Sequence, residues 1–236
     1  MIFGKTVGVV LPAYNCSKTL ELVYNEIPQD VIDEIILVDD YSLDNTICIA
    51  KKLNIKHIIK HNKNKGYGAN QKTCYDKALE LGIDIIIMLH PDYQYSPILI
   101  STMANIIATT SYNIVFASRF MNNDALKNGM PLYKYISNIF LTKFQNIFLQ
   151  KSLSEYHTGY RAYSQIVLKS IDYHKNSDGF IFDNEIILQC FKNGYDIFEI
   201  ACPAKYEKES SSINLFHSII YGMKIIYNTL MFKIKK

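Results

Sequence analysis

Up to about residue 110 the chain alternates short apolar runs, rich in β-branched side chains, with stretches whose apolar residues recur every three or four positions. That alternation predicts parallel strands joined by crossover helices. The runs at 7–11, 34–38, 57–60 and 84–89 read as strands, and 17–26, 44–53 and 69–81 as helices. Gly82 stands where the last of these helices needs a left-handed cap. Ser96-Pro97 offers a serine cap and a first-turn proline for a further helix.

Beyond that point the order loosens. Residues 114–118 read as a strand, and 132–149 as a long helix with Tyr135, Ile136, Ile139, Phe140, Phe144, Ile147 and Phe148 on one side. A helix is expected after Phe182, a strand over 197–202 and a polar loop over 207–212. The final segment sets Leu215, Phe216, Ile219, Ile220, Met223, Ile226, Tyr227, Leu230 and Met231 at helical spacing, followed by Lys233, Lys235 and Lys236. Two environments suit such a stripe: the domain or a partner subunit in a homodimer, and an anionic membrane surface. The expected organisation is one α/β domain over 1–212 and an amphipathic helix over 213–236.

Composition narrows this picture without changing it. With 49% apolar and 20% charged residues the chain is an ordinary globular one. A net charge of +3, with no basic cluster before the last few residues, argues against a nucleic-acid partner. The five cysteines, Cys16, Cys48, Cys74, Cys190 and Cys202, are scattered without metal-type pairing and suit a reducing compartment. The start lacks the basic and apolar segments of a secretory signal, and 213–232 is interrupted by Asn214, His217, Lys224 and Asn228. The expected location is the cytoplasm, including the inner face of the cell membrane.

In open α/β sheets ligands gather where loops leave the carboxyl ends of strands. Four such ends are polar here: Pro12-Ala13-Tyr14-Asn15, Asp39-Asp40-Tyr41-Ser42, Asn64-Lys65-Gly66-Tyr67-Gly68 and His90-Pro91-Asp92-Tyr93-Gln94. A carboxylate at 39 or 40 suits a base N–H or ribose hydroxyls, although an aspartate there also caps helices, a role that fits Asp44 better. Gly66 and Gly68 let backbone amides approach a phosphate, yet neither the dinucleotide fingerprint nor a Walker loop is present. His90, Asp92 and Gln94 alternate, so an extended segment would turn all three towards one cation. Their donor atoms suit Mg²⁺ or Mn²⁺, the imidazole tilting the choice to Mn²⁺.

Six segments in this order carry a resemblance: 9–15 (Val-Val-Leu-Pro-Ala-Tyr-Asn), 36–44 (Ile-Leu-Val-Asp-Asp-Tyr-Ser-Leu-Asp), 64–70 (Asn-Lys-Gly-Tyr-Gly-Ala-Asn), 88–97 (Met-Leu-His-Pro-Asp-Tyr-Gln-Tyr-Ser-Pro), 117–120 (Ala-Ser-Arg-Phe) and 157–163 (His-Thr-Gly-Tyr-Arg-Ala-Tyr). Together they resemble glycosyltransferase family 2, in its branch near dolichyl-phosphate mannose synthase and polyprenyl-phosphate glucosyltransferases. The resemblance implies a GT-A fold, a Rossmann-like and mostly parallel sheet flanked by helices. It also implies transfer with inversion from a UDP- or GDP-sugar to a lipid-phosphate or glycan acceptor, in cell-surface polysaccharide or glycoconjugate synthesis.

On this resemblance Pro12, Tyr14, Asn15, Asp39 and Asp40 hold base and ribose, and His90, Asp92 and Gln94 fall on the metal and diphosphate motif. That motif usually opens with aspartate, and here the first aspartate is histidine. Arg119 and Arg161 match arginines near the diphosphate or an acceptor phosphate, with Lys134 and Lys208 in the place of further arginines. Asp183 falls where many members place a catalytic base; a helix cap is its other reading. Two other functions stay open on the sequence: a non-catalytic nucleotide-sugar-binding protein and a sugar-phosphate nucleotidyltransferase.

Overall fold

A computed structural model describes residues 1–122, 124–203, 206 and 215–234, the last helix beginning with three residues described by backbone alone. Seven strands form one mixed sheet: β1 (Val7–Ala13), β2 (Glu34–Asp39), β3 (His57–Lys60), β4 (Ile85–Met88), β5 (Ile114–Ser118), β6 (Arg161–Ser164) and β7 (Phe198–Ala201). Their spatial order is β3-β2-β1-β4-β6-β5-β7. Only β6 runs against its neighbours β4 and β5; the other pairings are parallel.

The chain leaves β1 in one direction to lay down β2 and β3, then returns to place β4 on the other side of β1. The crevice between the ends of β1 and β4 is therefore the topological switch point, where such sheets hold ligands. β1 is apolar along most of its length and buried at every position, as a central strand covered on both faces requires. Val9, Leu11, Ile85 and Ile87 pack under α1 (Leu20–Glu26) and α4 (Leu99–Thr109). Val10, Ile36, Ile86 and Phe116 pack under α3 (Tyr67–Glu80) and α7 (Phe182–Lys192) on the opposite face. The remaining helices are α2 (Thr46–Lys52), α5 (Leu132–Leu149), α6 (Gln165–Ser170) and α8 (Leu215–Ile234).

Most expected elements stand within two or three residues of their predicted bounds, and α5 matches its bounds at both ends. Gly82 closes the α3 region at φ 71°, the conformation a left-handed cap needs. Ser96 is a correction. Helix α4 opens at Leu99 after Ile98, with no side-chain cap. The carbonyls of Ser96 and Pro97 accept the amides of Leu99 and Ile100 instead, a turn that precedes the helix.

On helix α5 the side read as apolar is only partly covered: Tyr135, Ile139, Phe144 and Phe148 are half-buried, Tyr135 stacking on Phe120, whereas Ile136 and Phe140 are each 58% exposed and Ile147 73%. The buried face carries Asn138, Leu141, Thr142 and Gln145. Helix α8 packs beside it, with Ile225 and Thr229 turned inward and Ile219, Met223, Tyr227 and Ile234 exposed. The polar loop expected over 207–212, together with Lys208, Lys235 and Lys236, lies outside the described residues.

Candidate active site

A cavity of about 1150 Å³ opens at the switch point. Its floor is the ends of β1 and β4, with Pro12, Tyr14 and Asn15 on one side and His90, Asp92 and Gln94 on the other. The far wall is helical: Tyr133, Lys134 and Leu141 come from α5, and Ser218 and Tyr221 from α8.

At the β2 end the two aspartates have different duties. Asp40 accepts the amides of Lys65 and Gly66 (2.8 and 2.9 Å) and faces His61 Nδ1 at 2.7 Å, so its carboxylate clamps the loop before α3. Asp39 is fully buried; Oδ2 accepts the Ser42 amide, while Oδ1 has no partner among the described residues. A buried acceptor left open in this way is costly unless a ligand or water supplies a donor.

The Gly66–Gly68 loop corrects its first reading. The Gly66 amide is given to Asp40, and the amides of Gly68 and Ala69 both donate to the Asp178 carbonyl. A Cβ on Gly66 would stand 2.7 Å from the Asp178 oxygen, and one on Gly68 2.4 Å from the Ser177 oxygen. These glycines admit the 177–178 segment against the helix end. They do not present free amides to a phosphate, although Gly66 still lines the cavity.

Residues 90–94 are not the extended segment that alternation presumed. Tyr93 sits at φ 60° and the chain turns over Pro91 and Asp92. All three proposed ligands nevertheless border the cavity, His90 and Asp92 half-buried and Gln94 buried, with the Gln94 amide donating to Asp92 Oδ1 at 3.1 Å. No group of three His, Cys, Asp or Glu side chains placed to hold a cation occurs among the described residues. One imidazole and one carboxylate on the same rim fit a divalent cation that brings further oxygens with it, such as those of a diphosphate, and not a cage made by protein alone.

Asp183 sits in the first turn of α7 and caps nothing: the cap position is Ile181, without a side-chain bond. Its Oδ2 accepts the Tyr67 hydroxyl at 2.7 Å and its Oδ1 the Gln71 amide at 3.0 Å, with the Arg161 guanidinium 3.4 Å away. The Tyr67 hydroxyl also meets His90 Nε2 at 3.0 Å, and the two rings stack with centroids 5.4 Å apart. Asp183, Tyr67 and His90 thus form one chain of contacts along the cavity wall. Burial, opposed by Asp92 and Asp183, holds the His90 imidazole below its ordinary pKa.

The two arginines part company. Arg161, 0% exposed, gives its guanidinium to the carbonyls of Thr158, Asp183 and Tyr156 and lies over the Phe116 ring. It does not border the cavity, so its expected contact with a phosphate is not made; it braces the α7 turn that carries Asp183. Arg119 does border the cavity, but it is held by the buried Glu155, by the Tyr206 hydroxyl and by the His157 carbonyl. Glu155 also accepts the Asn138 amide from α5. Although burial opposes it, the Arg119 charge holds the Glu155 carboxyl below its usual value.

Lys134 lies half-buried on the α5 wall, and burial together with the Arg119 charge lowers its pKa. Sequence reasoning passed over three residues that the structure brings in. Tyr67 and Gln71 lie on the inner side of α3 in a segment read only for its glycines. His157, pushed down to about 3 by burial, meets the Tyr221 hydroxyl at 3.2 Å while its Nε2 has no partner among the described residues. A histidine and a tyrosine over sixty positions apart give no local signal of that meeting.

Comparisons with known proteins agree with this geometry. The profile of the family described as "Glycosyl transferase family 2" matches residues 8–172. The chain is 32% identical to a UDP-N-acetylglucosamine–dolichyl-phosphate N-acetylglucosaminyltransferase of Methanococcus voltae, covering 98% of both chains. It is 23% identical to a polyprenol monophosphomannose synthase of Mycolicibacterium smegmatis, covering 81% of this chain and 74% of that one. Among solved structures, glucosyl-3-phosphoglycerate synthase of Mycobacterium tuberculosis with uridine diphosphate superposes with a TM-score of 0.72 at 16% identity, covering 98% of this chain and 80% of that one.

Proposed function

Because this chain belongs to glycosyl transferase family 2 and has the GT-A fold, we propose that it transfers a sugar, with inversion, from a UDP-sugar to a polyprenyl phosphate at a membrane surface. That it is a glycosyltransferase follows from the family and from the relatives. Donor, acceptor and stereochemistry are the proposal. The observation that carries it is a cavity with a nucleotide-type strand-end floor and a helical wall whose outer face is apolar.

The donor end rests on Pro12, Tyr14, Asn15 and Asp40, with the open oxygen of Asp39 buried behind them and outside the cavity lining. The Asp39 oxygen would reach a base N–H only if the strand end opened towards the cavity, and the Methanococcus relative is named for a UDP-sugar. A Mn²⁺ or Mg²⁺ held by His90 and Asp92 beside the diphosphate would supply charge neutralisation for the leaving group. Structures similar to this chain contain Mn²⁺ or Mg²⁺ with uridine diphosphate.

The acceptor end favours an oxygen that arrives already ionised. Both oxygens of the Asp183 carboxylate already hold donors, the Tyr67 hydroxyl on one and the Gln71 amide on the other, with Arg161 beside them, so an acceptor hydroxyl would have to share or displace one of them. A phosphate monoester needs no base. Its oxygen forms the new bond to the anomeric carbon as the bond from that carbon to the diphosphate breaks, and one displacement inverts the centre. Asp183 then orients the sugar or acceptor, and Lys134 attracts the incoming phosphate.

The outer face of the α5–α8 wall fits a membrane surface. Neither helix contains an acidic residue, whereas Lys134, Lys143, Lys224 and Lys233 lie on them. Exposed Ile136, Phe140, Ile147 and Met223 each forgo roughly 1.5–3 kcal/mol of burial in water. An interfacial position recovers part of it and attracts the lysines to anionic headgroups. No described helix is long and apolar enough to cross a membrane.

The decisive assay supplies UDP-N-acetylglucosamine and a polyprenyl phosphate in anionic vesicles and follows UDP release with the anomeric configuration of the product by proton NMR. Expected are vesicle-dependent release and a β-linked product from the α-linked donor. Turnover only with a soluble glycan hydroxyl would reject the acceptor, and a retained configuration the single displacement. If the protein instead elutes as a dimer and ignores vesicles, the apolar wall is a subunit contact.

A further inference from the structure

Tyr67 makes a second contact, to His90, that the reaction scheme leaves unused. A tyrosine hydroxyl has one proton to give. Here that oxygen lies 2.7 Å from Asp183 Oδ2 and 3.0 Å from His90 Nε2. The carboxylate, braced by Gln71 and Arg161, only accepts, so the phenol proton goes to it. His90 must then donate from Nε2. A cation binds a neutral imidazole, whose other nitrogen is in that case the acceptor Nδ1.

Packing agrees with that assignment. The Cδ2–Nε2 edge of the ring lies against Gly159, where a Cβ would stand 2.7 Å from Cδ2 and 2.8 Å from Nε2. Tyr67 stacks on the imidazole at 26° between planes and is itself backed by Phe180, with centroids 5.0 Å apart. With one edge closed by Gly159 and Tyr67, the Nδ1 edge is left for the cavity that Asp92 also lines. An aspartate at position 90 would have needed no such arrangement, since either carboxylate oxygen can bind metal. A histidine does need it, because only one of its nitrogens is an acceptor at a time.

We infer that Tyr67 is a positioning residue that fixes the tautomer and orientation of His90 through Asp183, so that Nδ1 serves as the ligand to the cation accompanying the diphosphate. This rests on the proposed nucleotide-diphosphate donor. It gives the site a nitrogen donor and therefore a preference for Mn²⁺ over Mg²⁺. Partners behind a ligating histidine typically change metal affinity by about 10–100-fold when removed.

The test uses the full chain with UDP and Mn²⁺ as probes. In the ligand-free protein, ¹⁵N-histidine NMR should report His90 protonated at Nε2, and Tyr67→Phe should change that pattern while keeping the stacked ring. Electron paramagnetic resonance should show Mn²⁺ binding to the UDP complex weakened by about tenfold or more in Tyr67→Phe. In a His90→Asp background the same substitution should leave Mn²⁺ affinity unchanged, since a carboxylate has no tautomer to set. An Nδ1-protonated His90 in the wild type, full Mn²⁺ affinity in Tyr67→Phe, or equal losses in both backgrounds would each overturn the inference. Failure of UDP to bind the wild type would reject the donor reading, while the ligand-free spectrum would still decide the tautomer.

Discussion

The strand-end half of the cavity and its helical wall solve burial in opposite ways. Around β1 and β4 the apolar residues face inward and the polar ones gather at the carboxyl ends, where the side chains of Asp40, Ser42 and Asn15 accept backbone amides and so tie loop to loop. On α5 the polar residues Asn138, Thr142 and Gln145 face inward and Ile136, Phe140 and Ile147 face out. An apolar stripe reports that a face needs apolar company; it does not report whether that company is protein. The difference teaches that similar apolar content can either close a core, as around β1 and β4, or leave an apolar face uncovered, as on α5.

The sharpest way to break that contrast is at the joint. Glu155 binds Arg119 from the β5 side and Asn138 from α5, so Glu155→Gln leaves a buried guanidinium without its counter-charge. A loss of about 3–5 kcal/mol is expected by denaturant unfolding. The pH dependence has a definite sign. The folded carboxyl titrates below its unfolded value, so its contribution is complete above about pH 4.5 and is lost as pH falls through the folded value. Glu155→Gln should flatten that part of the acid-unfolding curve, and an unchanged acid limb would remove Glu155 from the account.

Within the strand-end half, Asp183→Ala should lower turnover by about 100-fold or more while UDP affinity stays near wild type, because a misplaced reacting group costs that much. An intact rate would show that the buried arginine and its carboxylate serve folding alone. On the wall, Ile136→Glu with Phe140→Glu should reduce binding to anionic vesicles by about tenfold or more, reversing both the apolar and the electrostatic attraction. Sedimentation with unchanged UDP binding would complete the contrast; unaltered vesicle binding would end it. The smallest effect is expected for Lys134→Ala, a several-fold rise in KM for the lipid phosphate that shrinks with added salt.

How much of this was legible depended on the range of the interaction. Strand and helix placement came through because periodicity is local: α5 was readable to the residue, and Gly82 announced its own conformation. Asp39 and Asp40 were legible as a pair at a strand end, but not their division, which turns on the distant Lys65 and Gly66 amides. The closing of the α3 amides by Asp178 was invisible, as was the retreat of Arg161 beneath Asp183, because both join segments well separated along the chain. The turn at Tyr93 also escaped a reading based on alternation, since a positive φ at tyrosine has no compositional marker.

The closeness of Gly159 to His90 also limits which residues can stand together at the two positions. A methyl group at position 159 would press on the imidazole at 2.7 Å, so the two positions are not free to drift apart. With histidine at 90, an alanine at 159 would have to push the imidazole edge aside, and with it the contact to Tyr67. Among relatives that keep histidine at this position, glycine at 159 should therefore be the rule, and counting the exceptions would show how binding the contact is.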